Sequence, residues 1–261
     1  MLQTRNTAVA GLFYPQDPIE LQQQVDDYLA SANALDYTAK ALIAPHAGYI
    51  YSGAIAASAY IHLRQRADTI HRVVLIGPSH RVAFEGMALT QDDAYRSPLG
   101  QVVIDKEAYQ HIADINGVDY YDLAHKPEHS LEVQLPFLQT SLNQFKLVPI
   151  VVGSATPVEV ANVIDRLWGG DETLIVISSD LSHYHDYYTA QRLDQNTSRA
   201  IEALQTDKLT HERACGCTPV QGLLEAAKRH GLKAHTVDLR NSGDTAGDRS
   251  RVVGYGAYVF H

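Results

Sequence analysis

Residues 41–53 have the sequence ALIAPHAGYIYSG, and this stretch decides the predicted fold. Its first four residues are apolar and predict a buried strand, which ends at Pro45 because proline cannot continue a central strand. His46 follows at once, and a glycine-containing turn then leads into an Ala-rich, apolar helix. Open α/β sheets bind ligands at the carboxyl ends of their strands. His46 is therefore placed where a ligand site is expected.

A second segment repeats this arrangement. Residues 72–80 have the sequence RVVLIGPSH, which is again an apolar strand, a proline and then a histidine, His80. A single histidine is often packed inside a protein without a binding role. Two strands that both end in histidine favour two ligands that meet at one edge of a sheet.

Strands and helices alternate along most of the chain. The pattern predicts further strands at about 146–152, 173–178, 234–239 and 252–260, and helices at about 52–66, 105–114, 157–168, 187–204 and 219–230. It indicates an α/β fold: one domain over residues 1–261, with a mostly parallel central sheet and helices on both faces. Residues 84–104 contain short β-like pieces around a turn at 97–100, as in a hairpin insertion.

Composition excludes several classes of protein. The net charge of −9 and a pI near 5.8 argue against a surface for nucleic acid or anionic membranes. The longest apolar runs have the length of strands, well short of a membrane span, and the first residues lack the apolar core of a signal peptide. Thirteen histidines and two cysteines indicate a reducing compartment and a histidine-based site. We expect a cytoplasmic protein.

Histidine or cysteine occurs in several loops that follow core strands or precede helices. These loops contain His46, His80, His183 and Cys215, and Asp180 lies close to His183. Imidazole nitrogen and thiolate sulfur suit iron, copper or zinc rather than magnesium or calcium. The spacing matches no local metal motif such as His-Glu-x-x-His. A metal bound here would take its ligands from separate strands.

The segment SSDLSH at 178–183 has two interpretations. Asp180 could cap the following turn, with His183 on the surface. Alternatively, His183 could move protons, since imidazole titrates near neutral pH, while Asp180 orients its ring. The position after a buried strand favours the second interpretation. His185 is expected to point away.

Two further segments are ambiguous. Glu128 and Glu132 suit the first turn of a helix, but this does not explain His129, which is better suited to a neutral role facing a pocket. Cys215 precedes a predicted helix, where a thiol should have a lowered pKa, yet Cys215 and Cys217 could equally be small buried apolar residues. No G-x-S-x-G elbow, Walker A loop or dinucleotide-binding fingerprint is present.

Taken together, these motifs resemble those of the Memo family. The matching segments are GLFYP at 11–15, PHAGYIYSG at 45–53, GPSH at 77–80, EHSLE at 128–132, SSDLSH at 178–183 and CG at 215–216. The family's prokaryotic members are called AmmeMemoRadiSam system protein B, after associated AMMECR-type and radical SAM proteins, which the resemblance implies as partners. It also implies a fold similar to class III extradiol dioxygenases of the protocatechuate 4,5-dioxygenase type.

The resemblance implies roles for individual residues. By position, His46, His80 and Cys215 would be the metal ligands. His183 would be the acid/base residue, and Asp180 and His129 would line the same pocket. Extradiol dioxygenases use a carboxylate where this chain has Cys215, and a thiolate there is softer and can itself be oxidised. Residues expected to contact the substrate are Tyr49, Ser79 and Glu132.

The leading functional hypothesis is a metalloprotein with Fe(II) or copper in a dioxygenase-type pocket that binds a small molecule. If it is an enzyme, oxygen-dependent redox chemistry is the expected class. One alternative is a non-catalytic binding or adaptor protein that retains the cleft. Another is a hydrolase that uses zinc-bound water, although no glutamate general base is evident next to a ligand.

Overall fold

The structure is a computed structural model that describes residues 3–261. Its strands are β1 (Thr4–Arg5), β2 (Ala41–Ala44), β3 (Arg72–Pro78), β4 (Met87–Leu89), β5 (Ala94–Ser97), β6 (Gly100–Val103), β7 (Val118–Tyr120), β8 (Lys146–Val152), β9 (Thr173–Ser178), β10 (His183–His185), β11 (Ala234–Asn241) and β12 (Val252–Phe260). Its helices are α1 (Pro18–Ser31), α2 (Tyr49–Tyr60), α3 (Lys106–Tyr109), α4 (Asp122–His125), α5 (Leu135–Ser141), α6 (Pro157–Arg166), α7 (Tyr187–Glu202) and α8 (Cys217–His230). Across the described residues, no helix combines the length and apolar character needed to cross a membrane.

A sheet of nine strands forms the centre of the fold. Its order is β10-β12-β2-β9-β3-β8-β4-β7, and β11 also pairs with β12. The four central strands β2, β9, β3 and β8 are parallel, whereas β12 is antiparallel to β2 and β4 is antiparallel to β8. The α/β fold with a parallel centre is confirmed. The sheet as a whole is mixed, because antiparallel strands extend it on both sides.

Helices flank this sheet in groups. Helices α1, α2 and α5 pack on one another, and α2 contacts β2, β11 and β12. Helices α6 and α8 pack together, with α8 against β3 and β9, while α7 lies against β11 and β12. Residues 73–76 of β3 and 174–177 of β9 are completely buried. Burial on both faces explains why the central strands appear in the sequence as continuous apolar runs.

Several predicted boundaries differ from the structure. Helix α2 begins at Tyr49 and changes to a 3-10 helix over Ile61–Arg66. Helix α3 ends at Tyr109 rather than near residue 114. The predicted hairpin exists as β5 and β6, which form a small separate sheet with β1, but β4 belongs to the main sheet. The pairings of β1 with β5 and of β4 with β8 join segments distant in sequence, which periodicity does not reveal.

The strand order brings the predicted site residues to one edge. Strand β9 lies between β2 and β3, and all three run in the same direction. Ala44 at the end of β2 lies opposite Ser178 at the end of β9. His46, His80 and the segment 179–182 therefore follow strands that end at the same edge of the sheet.

Glu132 holds the amino-terminal segment against the core. Its carboxylate is fully buried, forms an ion pair with Arg5, and accepts hydrogen bonds from Ala8 N at 2.7 Å, Val9 N at 3.0 Å and the Tyr14 hydroxyl at 2.6 Å. These contacts occupy both carboxylate oxygens. Glu132 was expected to contact the substrate, but the structure gives it this role in folding instead.

Replacing Glu132 by glutamine should destabilise the protein strongly, because it leaves the buried Arg5 charge without a partner. The expected loss in free energy of unfolding is about 3–5 kcal/mol, measurable by urea denaturation. Asp114→Asn is the control, since it removes an ion pair with Arg166 that is exposed to solvent, and it should leave the unfolding midpoint unchanged. Equal effects of the two substitutions would contradict the assignment.

Candidate metal centre

The structure brings His46, His80 and Cys215 together. One ligand atom of each lies within 4.8 Å of the others, and Cys215 Sγ is 3.2 Å from His46 Nε2. Gly216 allows the cysteine loop to approach the end of β9, because a Cβ there would lie only 2.8 Å from the Ser178 carbonyl oxygen. Three separate segments thus supply two imidazoles and one thiol to a single point.

Hydrogen bonds fix the tautomer of His46. Ser178 Oγ lies 2.6 Å from the carbonyl oxygen of Ser130, which can only accept, so the hydroxyl proton is donated there. Gln134 Nε2 donates to Ser178 Oγ at 2.8 Å and to the Pro45 carbonyl at 2.9 Å. His46 Nδ1, 2.9 Å from Ser178 Oγ, must therefore be the donor in this contact. Its Nε2 then carries the lone pair that a metal ligand needs.

Glu128 fixes the tautomer of His80 in the same way. Its carboxylate lies 2.9 Å from His80 Nδ1 and accepts hydrogen bonds from the backbone nitrogens of His80, His129 and Ser130. Burial raises the pKa of Glu128, but these hydrogen bonds, led by those from His80, lower it to about 2. The ionised carboxylate accepts a hydrogen bond from Nδ1, which leaves the lone pair of the neutral His80 ring on Nε2. Metal-binding histidines typically have such a carboxylate behind them.

His129 lies beside both of these imidazoles. Its ring centroid is 4.7 Å from that of His80 and 5.5 Å from that of His46. Burial lowers the pKa of His129 to about 4, so the ring is neutral at pH 7. Its Nδ1 is buried and has no hydrogen-bond partner among the described residues, although Glu128 Oε1 lies 3.3 Å away in a poorly aligned position.

Asp180 contacts His46 and Cys215 rather than His183. Its Oδ1 accepts a hydrogen bond of 2.7 Å from His46 N, and its own backbone nitrogen donates to Cys215 Sγ at 3.3 Å. Burial raises the pKa of Asp180 to about 7. The His183 ring instead forms a hydrogen bond with the backbone of Leu181, and burial lowers the pKa of the ring. The expectation that Asp180 orients the His183 ring was therefore wrong.

The pKa of the Cys215 thiol is raised, whereas a lowered pKa was predicted. Burial raises its pKa, and the neighbouring Asp180 carboxyl raises it further. These effects outweigh the hydrogen bonds that the sulfur receives. Helix α8 begins only at Cys217, so Cys215 precedes its first turn. Cys217 is buried in the core, and burial raises its pKa to about 11.

A cavity of about 800 Å³ opens over this cluster. It is lined by His46, His80, His129, Asp180, His183, Tyr184, His185, His211, Glu212 and Cys215. His185 was expected to point away, but it lines this cavity together with His183. The register of β10 shifts between these two residues, where Tyr184 has a φ of 64°, so regular strand alternation does not apply. A second cavity of about 460 Å³ adjoins the first and shares His129, Asp180, His183 and Tyr184 with it.

The other residues expected to contact the substrate, Tyr49 and Ser79, do not line the cavity over His46, His80 and Cys215. Tyr49 is buried, and its hydroxyl donates to the Val133 carbonyl at 2.6 Å. Ser79 donates to the Val82 carbonyl at 2.6 Å and lines a smaller cavity of about 290 Å³. Sequence reasoning missed the positioning roles of Glu128, Ser178 and Gln134. The first two occur within the quoted motifs, whereas Gln134 has no signal of its own.

Comparison with known proteins agrees with the motifs. A family model described as Memo-like protein matches residues 5–259. The chain belongs to the Memo family. MEMO1 family proteins of Aquifex aeolicus, Methanopyrus kandleri and Methanosarcina barkeri are 39%, 36% and 34% identical to it. These alignments cover 99%, 98% and 98% of this chain and 100%, 98% and 99% of the relatives.

One solved structure is also similar to this Memo family chain. An uncharacterized protein of Escherichia coli K12 gives a TM-score of 0.48 at 12% identity. The match covers 84% of this chain and 98% of the other.

Replacing Ser178 by alanine should allow His46 to adopt both of its neutral tautomers. Its Nδ1 proton loses its acceptor, so the form protonated at Nε2 becomes populated, as nitrogen-15 NMR of the imidazole rings would show. The signals of His80 should keep their tautomer. Ser141→Ala is the matched control, because the Ser141 hydroxyl is also buried but has no hydrogen-bond partner in the described structure. An unchanged His46 tautomer in the Ser178 variant would refute the network.

Alkylation should show that the Cys215 thiol ionises late. In a Cys217→Ser variant without metal, the iodoacetamide rate should keep rising with pH beyond about 8.5, the pKa of an unperturbed cysteine. The same variant in urea is the control, because unfolding removes the burial that raises the pKa. The pH at the midpoint of the rate profile reports the ionisation of the thiol, whereas access to the sulfur changes only the size of the rate. A midpoint below that of the unfolded chain would contradict the stated direction.

Proposed function

We propose that this protein binds iron or copper through His46, His80 and Cys215 and performs oxygen-dependent redox chemistry on a small molecule. The observation that supports this most directly is the pair of tautomer-fixing contacts. Ser178 and Glu128 each accept a hydrogen bond from Nδ1 of one histidine, which leaves the lone pair of each ring on Nε2, and Nε2 of His46 lies 3.2 Å from the Cys215 thiol.

The donor set fits such a metal. Two imidazole nitrogens and one sulfur suit iron, copper or zinc, and three ligands leave coordination positions open. When bound, iron or copper would supply a redox change and open positions for small ligands. The cavity of about 800 Å³ over the cluster has the size of a small-molecule site.

Neighbouring side chains provide the groups for proton transfer and substrate contact. His183 is neutral at pH 7, because burial lowers its pKa, so its ring can accept a proton from a substrate in the cavity. His129 Nδ1 is buried without a hydrogen-bond partner in the described structure and is available to a polar substrate atom. Asp180 holds the backbone at His46 and thereby the position of that ligand.

A zinc-dependent hydrolase is the second candidate, and Asp180 is the observation in its favour. A general base for hydrolysis works best with a pKa near the operating pH. Burial raises the pKa of the Asp180 carboxyl to about 7, and its Oδ2 lies 4.0 Å from His46 Nε2. Asp180 would then provide the carboxylate base that was not evident in the sequence.

Metal analysis combined with oxygen uptake tests the proposal. Protein purified without added metal should contain iron or copper, and His46→Ala and Cys215→Ala should each reduce metal affinity by more than about tenfold. His111→Ala is the control, since His111 is exposed and absent from the cluster. After anaerobic loading with iron or copper, oxygen consumption is screened against catechols and small metabolites.

The possible results separate the hypotheses. Zinc in the purified protein, with no oxygen uptake and with hydrolysis that depends on Asp180, would favour the hydrolase. Protein that retains no metal and shows no turnover would favour a non-catalytic binding role. Metal content unchanged in both ligand variants would refute the assigned ligands.

A further inference from the structure

We propose that the cavity of about 460 Å³ beside the metal centre binds a small organic acid, with its carboxylate on Arg251 and its apolar body along the cavity wall. This inference rests on the proposed function, because the other end of the molecule would then face the metal cluster. It names the class of substrate that the site selects. The argument uses the cavity wall, the charge of Arg251 and the backbone of Tyr184.

The wall of this cavity is largely apolar. Leu12, Phe13, Ile50, Tyr51 and Tyr255 contribute side chains from the amino-terminal segment, helix α2 and strand β12. Small-molecule sites commonly combine such a wall with a few placed polar groups. The four residues shared with the larger cavity make the two cavities neighbours. A molecule held here can therefore extend to the metal ligands.

Arg251 is the charged group that would select an anion. Its guanidinium lies 5.0 Å from the ring centroid of Tyr184 and forms no ion pair or hydrogen bond within the described residues. Asp248 also lines the cavity and contributes a negative charge, since the hydrogen bond from the Ser250 backbone nitrogen lowers the pKa of its carboxyl. No lysine and no second arginine is among the described residues that line this cavity. The positive charge of this cavity therefore comes from Arg251.

Tyr184 places this charge at the junction of the two cavities. It lines both of them, and its backbone has a φ of 64°, a left-handed conformation that is rare for a bulky residue. Such strain is found mainly where a side chain must be held for binding or catalysis. Here it presents the ring on which the Arg251 guanidinium stacks, which limits the directions that the guanidinium can take.

A carboxylate is the anion that fits this arrangement. The planar guanidinium offers parallel donors that match the two oxygens of a carboxylate. The apolar wall then favours an attached hydrocarbon or ring over a simple inorganic anion. An uncharged analogue of the same shape would keep the apolar contacts but lose the charge-assisted hydrogen bonds.

Binding of matched acids and amides to the full chain tests this inference. The probes are 3-phenylpropionate and hexanoate, their amides, and inorganic phosphate, measured with metal-free protein by calorimetry or ligand-observed NMR. Each acid should bind about tenfold or more tightly than its amide, and phosphate should bind weakly. Arg251→Gln should remove the preference for acids, and Arg251→Lys should retain part of it, since lysine keeps the charge but not the planar donors.

Arg249→Gln is the matched control. Arg249 belongs to the same loop and also stacks on a tyrosine, Tyr187, at 4.6 Å, but it does not line the cavity. Its replacement should leave the binding of acids unchanged. The inference is overturned if acids and amides bind equally, if phosphate binds as well as the acids, if the Arg249 variant loses as much affinity, or if no probe binds at millimolar concentration.

Metal affinity measured on the same proteins separates this inference from the proposed function. Arg251→Gln should keep its affinity for iron or copper, whereas His46→Ala should lose it. Binding of acids by a chain that takes up no metal would reject the metal proposal and keep the acid site. Metal uptake without a preference for acids would reject the acid site alone.

Discussion

The hydroxyl group of Ser178 makes the contacts on which the geometry of the site depends. It accepts hydrogen bonds from His46 Nδ1 and Gln134 Nε2 and donates to the Ser130 carbonyl. These three bonds use its single proton and both lone pairs. Ser178 ends β9, the strand between β2 and β3. It thus joins the strand that leads to His46 with the loop that contains Glu128, which accepts a hydrogen bond from His80, so one side chain on the central strand links the positions of both histidines.

This arrangement explains which parts of the fold were predictable from the sequence. Strands β2 and β3 are buried on both faces, so they appear as apolar runs that end at proline and histidine. The placement of β2 and β3 on either side of β9 cannot be read from such local patterns. It depends on which strands pair across more than a hundred residues, and no local pattern encodes that. The histidines could therefore be predicted as a pair and β9 could be predicted as a strand, but the position of β9 between β2 and β3 could not.

The neighbouring residues Glu132 and Gln134 show the same limit for side chains. Both are polar residues at the start of a helical segment, and both are fully buried. Glu132 faces Arg5 and the amino-terminal backbone, whereas Gln134 faces the Pro45 carbonyl and Ser178. Only the tertiary partners separate a role in folding from a role in the site. For Cys215, proximity to a helix suggested a low pKa, but burial and the nearby Asp180 carboxyl outweigh that effect.

The electrostatics of the cluster would couple the binding of a cation to the release of protons. Burial lowers the pKa of His46 and of His129, and it raises the pKa of Cys215 and of Asp180, so each group is shifted towards its neutral form. A buried cation reverses this preference, because it stabilises a thiolate and a carboxylate and binds neutral imidazole. Binding would therefore release protons, and affinity would fall as the pH decreases. Glu128 is already ionised and hydrogen-bonded. The additional negative charge that neutralises a bound cation would therefore come from deprotonation of Cys215 and Asp180, which both contact His46.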